Sequence, residues 1–295
     1  MDMSLILQLA ISGLSVGCLY ALIALGYSLT FVVNGTLNMS QGQLVMLGGV
    51  LMFGFAELGH LPFFVSFMLA ALIVGLLNLG IERLAIRKFD KGANSIEWVL
   101  STIAVGIIIQ DVALYINGPD EGVTSSPMGD EMLRIAGAGI YWKEFVFLPV
   151  VAILLVLLIL FYKKSHWGLW LRATADNRTA VEIMGISSNK IVAVAYVLSG
   201  LLAGIGGALM STNYAVSVDI GLPLGLKAIS VAILAGVNNP KGIVVAGLIL
   251  GISEAFIGQY ISTAFREMFV YGLVILVLYW KPMGLFNARK TIVKV

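Results

Sequence analysis

Three ionisable side chains stand where an apolar sequence tolerates them least. Asp111, Lys227 and Glu254 each sit inside a run of otherwise apolar residues. A lone charge in hydrocarbon is costly, so such residues pair, line a watery path or carry function. A second polar group, Asn34, Asn38, Ser40 and Gln41, interrupts a charge-free stretch from Met3 to Ala56, and Gln110 adjoins Asp111. None of these sets resembles a catalytic centre. His60 and His166 lie far apart and the single Cys18 is in an apolar run. That leaves no Ser/His/Asp or Cys/His set, no metal-ligand spacing and no internal disulfide. Gly236-Val-Asn-Asn-Pro-Lys241 has the outline of a phosphate loop but lacks the second glycine and the Lys-Ser/Thr pair. The chain is expected to be no enzyme and to bind no cofactor of its own.

The elements that position these residues follow from composition. The chain has 295 residues, 59% of them hydrophobic and 12% charged. Soluble domains carry about 25% charge, so lipid is the solvent that this surface needs. The net charge of +2 is too small to argue for nucleic acid. The start, Met1-Asp2-Met3, lacks the basic region of a cleaved signal, so the first apolar segment is expected to remain as a span. At 1.5 Å per residue the charge-free run would cross a ~30 Å core nearly three times. It must break, and the turn formers of Asn34-Gly35-Thr36-Leu37-Asn38 are where. This gives segments near 5–33 and 41–56. Others follow near 64–81, 95–116, 145–162, 191–210, 222–237, 243–260 and 268–280. The expected fold is an all-α integral membrane protein, one domain over 1–295. It is a polytopic bundle of about nine segments, or eight to ten, since 41–56 could be re-entrant.

Basic residues orient the spans. Arg83, Arg87, Lys88 and Lys91 follow the third segment, and Lys163, Lys164, Arg172, Arg178 and Lys190 follow the fifth. Lys241 follows the seventh, and Lys281, Arg289, Lys290 and Lys294 the ninth. Nine spans place these 14 of 18 basic residues on one side, the cytoplasm. The N-terminus is then outside and the C-terminus cytoplasmic. The 118–144 loop, with Asp120, Glu121, Asp130, Glu131 and Glu144 against Arg134 and Lys143, is extracytoplasmic. Asp111, Lys227 and Glu254 then lie roughly 7–9 Å below the outer surface. The seventh and eighth segments are joined by a short connection and are expected to be neighbours. Lys227 and Glu254 are therefore expected within ion-pair reach, with Asp111 near them, as an outer gate or as a pair that fixes packing; the alternative is that each faces a watery vestibule alone. The residues 34–41 either face a translocation path and its cytoplasmic gate or form a plain turn. GxxxG occurs at Gly13/Gly17, Gly200/Gly204, Gly221/Gly225 and Gly247/Gly251. With 33 glycines about four such pairs arise by chance, so the motif carries little weight here. The general Gly/Ala richness of 193–208 says more.

The 164–190 segment is too polar to span, and 172–186 is expected to form one short cytoplasmic helix stopped by Gly185. Arg172, Ala173, Asn177, Ala180, Gly185 and Ile186 fall in the order R-A-x-x-x-N-x-x-A-A-x-x-x-G-I, with Val181 at the second alanine. This resembles the coupling loop of ABC-transporter permeases in the branched-chain amino-acid family. The similarity runs on through Gly35-Thr-Leu-Asn38-Met39-Ser40-Gln41-Gly42-Gln43, Glu82-Arg83 with Arg87, Ile109-Gln110 and Tyr196 to Gly207. It continues in Gly225-Leu-Lys227-Ala228, Gly247 to Ala255 and Lys281-Pro-Met-Gly-Leu285. One departure stands out: Ala235 to Gly242 replaces the family's G-G-x-G-[ST].

The resemblance implies one of two permease subunits of a bacterial-type ABC importer in the cytoplasmic membrane. The other components would be a second, related permease, two cytosolic ATPases that hold ATP and magnesium, and an extracytoplasmic solute-binding protein. It implies an ATPase contact through Arg172, Ala173, Asn177, Arg178, Ala180, Glu182, Gly185 and Ile186. It implies alternating access for branched-chain amino acids, with urea, short amides and other small acids as the family's alternatives. The residues by themselves also admit a stand-alone secondary transporter or channel, or a membrane scaffold.

Overall fold

The charge-free run breaks where its turn residues stand. In the computed structural model, which describes residues 3–89, 96–118, 122–127, 129, 131–135, 138–282 and 284–286, helix α1 spans Met3–Asn34. Gly35 then turns the chain with φ +73°, a conformation that glycine adopts freely. α2 covers Gln41–Phe53 and widens into a π turn over Gly54–Leu58. α3, Phe63–Ile81, widens likewise over Glu82–Ile86, and α4 covers Glu97–Asn117. α5 (Trp142–Lys164) leads into two short helices, α6 (His166–Asp176) and α7 (Arg178–Ile183). α8 (Ser188–Asn213), α9 (Gly221–Ala235), α10 (Pro240–Tyr260) and α11 (Phe265–Trp280) complete the order. All nine expected segments are helices. Among the described residues seven stretches are long and apolar enough to cross a membrane; α9 and α11, of 15 and 16 residues, are shorter.

The 118–144 loop adds something that periodicity did not disclose. β1 (Met132–Ile135) and β2 (Ala138–Tyr141) pair antiparallel with Met132 opposite Tyr141. Lys91, Asp120, Glu121, Asp130, Arg289, Lys290, Lys294 and the cytoplasmic placement of the C-terminus lie outside the described residues.

α1 is the axis of the bundle. Every residue from Gly17 to Thr30 is buried, as a helix apolar on all sides requires. It packs most extensively on α10, while α8 packs on α2 and α3. The contacts are glycine to glycine. A Cβ on Gly17 would lie 2.7 Å from the Gly247 carbonyl oxygen, and one on Gly247 would lie 2.8 Å from that of Gly17. Gly200 and Gly204 meet Gly75, Val74 and Ala71 of α3, and Gly225 meets Gly42 of α2. The four pairs named above thus sit at helix crossings. In lipid, close backbone approach replaces the hydrophobic drive between helices.

Candidate functional site

α9 and α10 bring the two charges together as expected. Lys227 Nζ lies 2.6 Å from Glu254 Oε1, and both side chains are largely buried. Tyr20 of α1 donates to the other carboxylate oxygen, Oε2, at 2.8 Å. The carboxylate is therefore held by one cation and one hydroxyl from two other helices, as a buried charge requires. Asp111 does not join them. It is exposed on α4, a helix packed against α2 and the end of α3. Its neighbour Gln110 accepts from Gln43 Nε2 at 3.2 Å and donates to Asp219 Oδ1 at 3.0 Å.

Beside Glu254 opens a cavity of about 340 Å³, between α1, α8, α9, α10 and α11. Leu9, Ser12, Val16, Tyr20, Glu254 and Arg266 are among its walls. Tyr20 and Arg266 were not singled out by sequence reasoning. The tyrosine is hidden in an apolar run. The arginine had a signal: it is one of only four basic residues outside the four basic clusters, with Arg134, Lys143 and Lys227.

The polar break is tied into the bundle by side-chain hydrogen bonds. Asn38, Ser40 and Gln41 are fully buried. Asn38 Nδ2 donates to Asn78 Oδ1 at 2.8 Å, and Asn78 Nδ2 donates to the Tyr196 carbonyl at 2.7 Å. Ser40 Oγ donates to Asn38 Oδ1 at 2.6 Å. Gln41 Nε2 reaches the Ser199 carbonyl at 3.2 Å, and Ser199 Oγ donates to the Gly26 carbonyl at 2.9 Å. Asn34 bonds Thr36, which bonds the Tyr196 hydroxyl. Ser199 lies eleven residues into α8, roughly 16 Å from its start. α2 therefore begins at membrane depth, and the unwound backbone before it is met from within the protein, as hydrocarbon demands: Met39 N donates to Thr102 Oγ1 of α4 at 3.3 Å and Ser40 N to Asn38 Oδ1 at 3.1 Å. Asn34 also borders a smaller cavity of about 110 Å³ with Glu82, Arg87, Arg178 and Asn189.

The 164–190 segment is two helices, not the single one expected over 172–186. Asn177 breaks it: its backbone is extended and its Oδ1 accepts from Ala180 N at 2.9 Å, capping α7. Asparagine competes for backbone donors in this way and so favours caps over helix interiors. Gly185 closes α7 with φ +81°, and Ile186 N bonds the Val181 carbonyl at 3.2 Å. Arg172 donates to the carbonyls of Gly168 and Lys163 and lies over the Tyr162 ring, with Ala173 packed beside the core. Arg178 is occupied within the chain, by Ser188 Oγ and Asn189 Oδ1, each at 2.9 Å, and by Glu182 at 3.7 Å. Glu182 also takes the Ser188 hydroxyl. α7 leaves Arg178, Thr179 and Glu182 exposed, and beside them the apolar Ile183, 82% exposed, and Met184, 76%.

The segment that departs from the family pattern is a structural cap. Gly236 takes φ +86°, Asn239 Oδ1 accepts from Gly242 N, and Pro240 opens α10. It lies ten residues from Lys227, roughly 15 Å along α9, and away from the cavity.

A family model described as the branched-chain amino acid transport system permease component matches residues 9–278. The chain belongs to that family. BraD of Pseudomonas aeruginosa, a high-affinity branched-chain amino acid transport permease protein, is 28% identical over 294 residues, 95% of each chain. LivH of Escherichia coli is 29% identical with the same coverage. A probable LivH of Methanocaldococcus jannaschii is 30% identical over 272 residues, 87% of this chain and 83% of the relative. The protein is accordingly a multi-pass membrane permease component, and Lys227, Glu254 and the α6–α7 segment are features of that permease.

Proposed function

We propose that this chain is one permease subunit of an ATP-driven importer for branched-chain amino acids. A second, related permease completes the pore, and two cytosolic ATPases, which hold ATP and magnesium, dock on α6–α7. An extracytoplasmic binding protein delivers the solute, and the pair of permeases alternates access. The observation that carries the reading is the family match over 9–278. The shape of α6–α7 supports it: a short capped helix presents Ile183 and Met184 bare, as a helix does when a partner groove receives it. Reconstitution of the chain with these partners in liposomes tests it. ATP-dependent leucine uptake is expected, and transport by the chain alone would instead establish a secondary transporter or channel. Ile183→Asp or Glu182→Arg is expected to leave the permease assembled while uptake per ATP hydrolysed falls about tenfold or more. Undiminished coupling in both would remove α7 from the ATPase contact.

A further inference from the structure

We propose that the cavity bounded by Tyr20, Glu254 and Arg266 is a transit site for a free aliphatic amino acid, with Arg266 taking its carboxylate and Glu254 its ammonium. This rests on the importer reading above and assigns the solute a place within the chain. The volume of about 340 Å³ falls in the roughly 300–1,000 Å³ range of small-ligand sites. Its walls have two characters. Leu9, Val16, Leu19, Met210 and Leu224 supply aliphatic surface, and Ser12, Tyr20, Tyr214, Glu254 and Arg266 supply polar groups.

Arg266 is the telling member. Its side chain lies across Gly258, where a Cβ would collide with the guanidinium. Its Nε is buried and has no hydrogen-bond partner, and it makes no ion pair among the described residues. A partly buried guanidinium without an anion is an unsatisfied group, and its planar fork fits a carboxylate. Glu254 already accepts from Lys227 and Tyr20. A carboxylate has about four lone-pair sites, so it keeps room for an ammonium. Glu254 and Gly258 are one turn apart on one face of α10, which sets the two recognition points about 6 Å apart along the helix. One carboxylate against Lys227 and Arg266 leaves one unit of positive charge. The carboxylate end of the ligand is therefore the anchored end, and a simple amine is disfavoured.

The test uses the full importer complex with Cys18→Ser and Ser12→Cys, since Ser12 lines the cavity and Cys18 is buried. Labelling of Ser12→Cys by methyl methanethiosulfonate is followed without the binding protein, and leucine uptake is measured on the same preparation with it. Leucine is expected to slow labelling about tenfold, and isoamylamine, which lacks the carboxylate, is expected not to. Arg266→Gln is expected to raise the leucine concentration needed for protection about tenfold or more, and Arg266→Lys to raise it less. Absence of protection in a complex that takes up leucine, or unchanged protection in Arg266→Gln, overturns the site and leaves the importer reading standing. Absence of leucine uptake by the unsubstituted complex overturns the substrate reading, and the site with it. If Arg266→Gln does not assemble, Ser12→Phe decides: a filled cavity must slow uptake about tenfold in an intact complex, and undiminished uptake rejects the site.

Discussion

Lys227 and Glu254 hold each other in a place where neither tolerates solitude, and Tyr20 completes the arrangement. Removing one partner leaves a buried charge alone, which costs about 3–5 kcal/mol, whereas removing both can be near neutral. Lys227→Met is therefore expected to lower the thermal midpoint of the purified complex sharply, and Lys227→Met with Glu254→Gln to recover at least half of the loss. A double variant no more stable than the single one would show that the pair is not coupled. The ion pair was legible because two charges in apolar runs, joined by a short connection, fall at matching depth. Arg266 was not, because it sits at a span boundary where an arginine excites no notice until its Nε is seen without a partner. Asn78, Tyr196 and Ser199 escaped for a different reason. Single polar residues within apolar helices acquire meaning only when the break at 34–41 is known to lie beside them.

At the level of elements, the spacing of apolar runs located the nine apolar helices, α1–α5 and α8–α11, since length and charge exclusion are what lipid selects. What it missed were local competitions. Asn177 divides the coupling segment because its side chain caps α7, and the outer loop pairs as β1 and β2. The glycine pairs were discounted on frequency, yet their crossing is now explicit and makes a sharp contrast. A Cβ on Gly17 meets the Gly247 carbonyl oxygen at 2.7 Å, whereas one on Gly80 meets nothing within 4 Å. Gly17→Val is expected to displace α1 from α10 and to abolish a monodisperse peak in size-exclusion chromatography. Gly80→Ala is expected to leave the peak intact and to stabilise by up to about 1 kcal/mol, the difference in helix propensity. Equal behaviour of the two variants would contradict the packing.

For the whole molecule, the helix order sets the two faces of the membrane. Asn34, Glu82, Arg87, Arg178 and Asn189 gather at one end, while Gly122 and Thr124 bond Val216 and Ser211 at the other. With Cys18→Ser as background, Ile183→Cys is expected to react with an impermeant maleimide only from the cytoplasm, and Glu131→Cys only from outside. Labelling of both from one side would exclude a nine-pass arrangement. The departure at 235–242 caps α10 at the end away from the cavity.

The crossing of α1 with α10 also sets a timetable for biogenesis. Gly17 and its partner Gly251 are separated by 234 positions in the chain. At about 5–20 residues per second of synthesis, α1 waits roughly 10–50 s after it emerges before the helix that covers its glycine face exists. During that interval its small-residue groove is open to lipid or to whatever guards nascent membrane helices. A chain that stalls before α10 leaves open the very surface that holds the finished protein together.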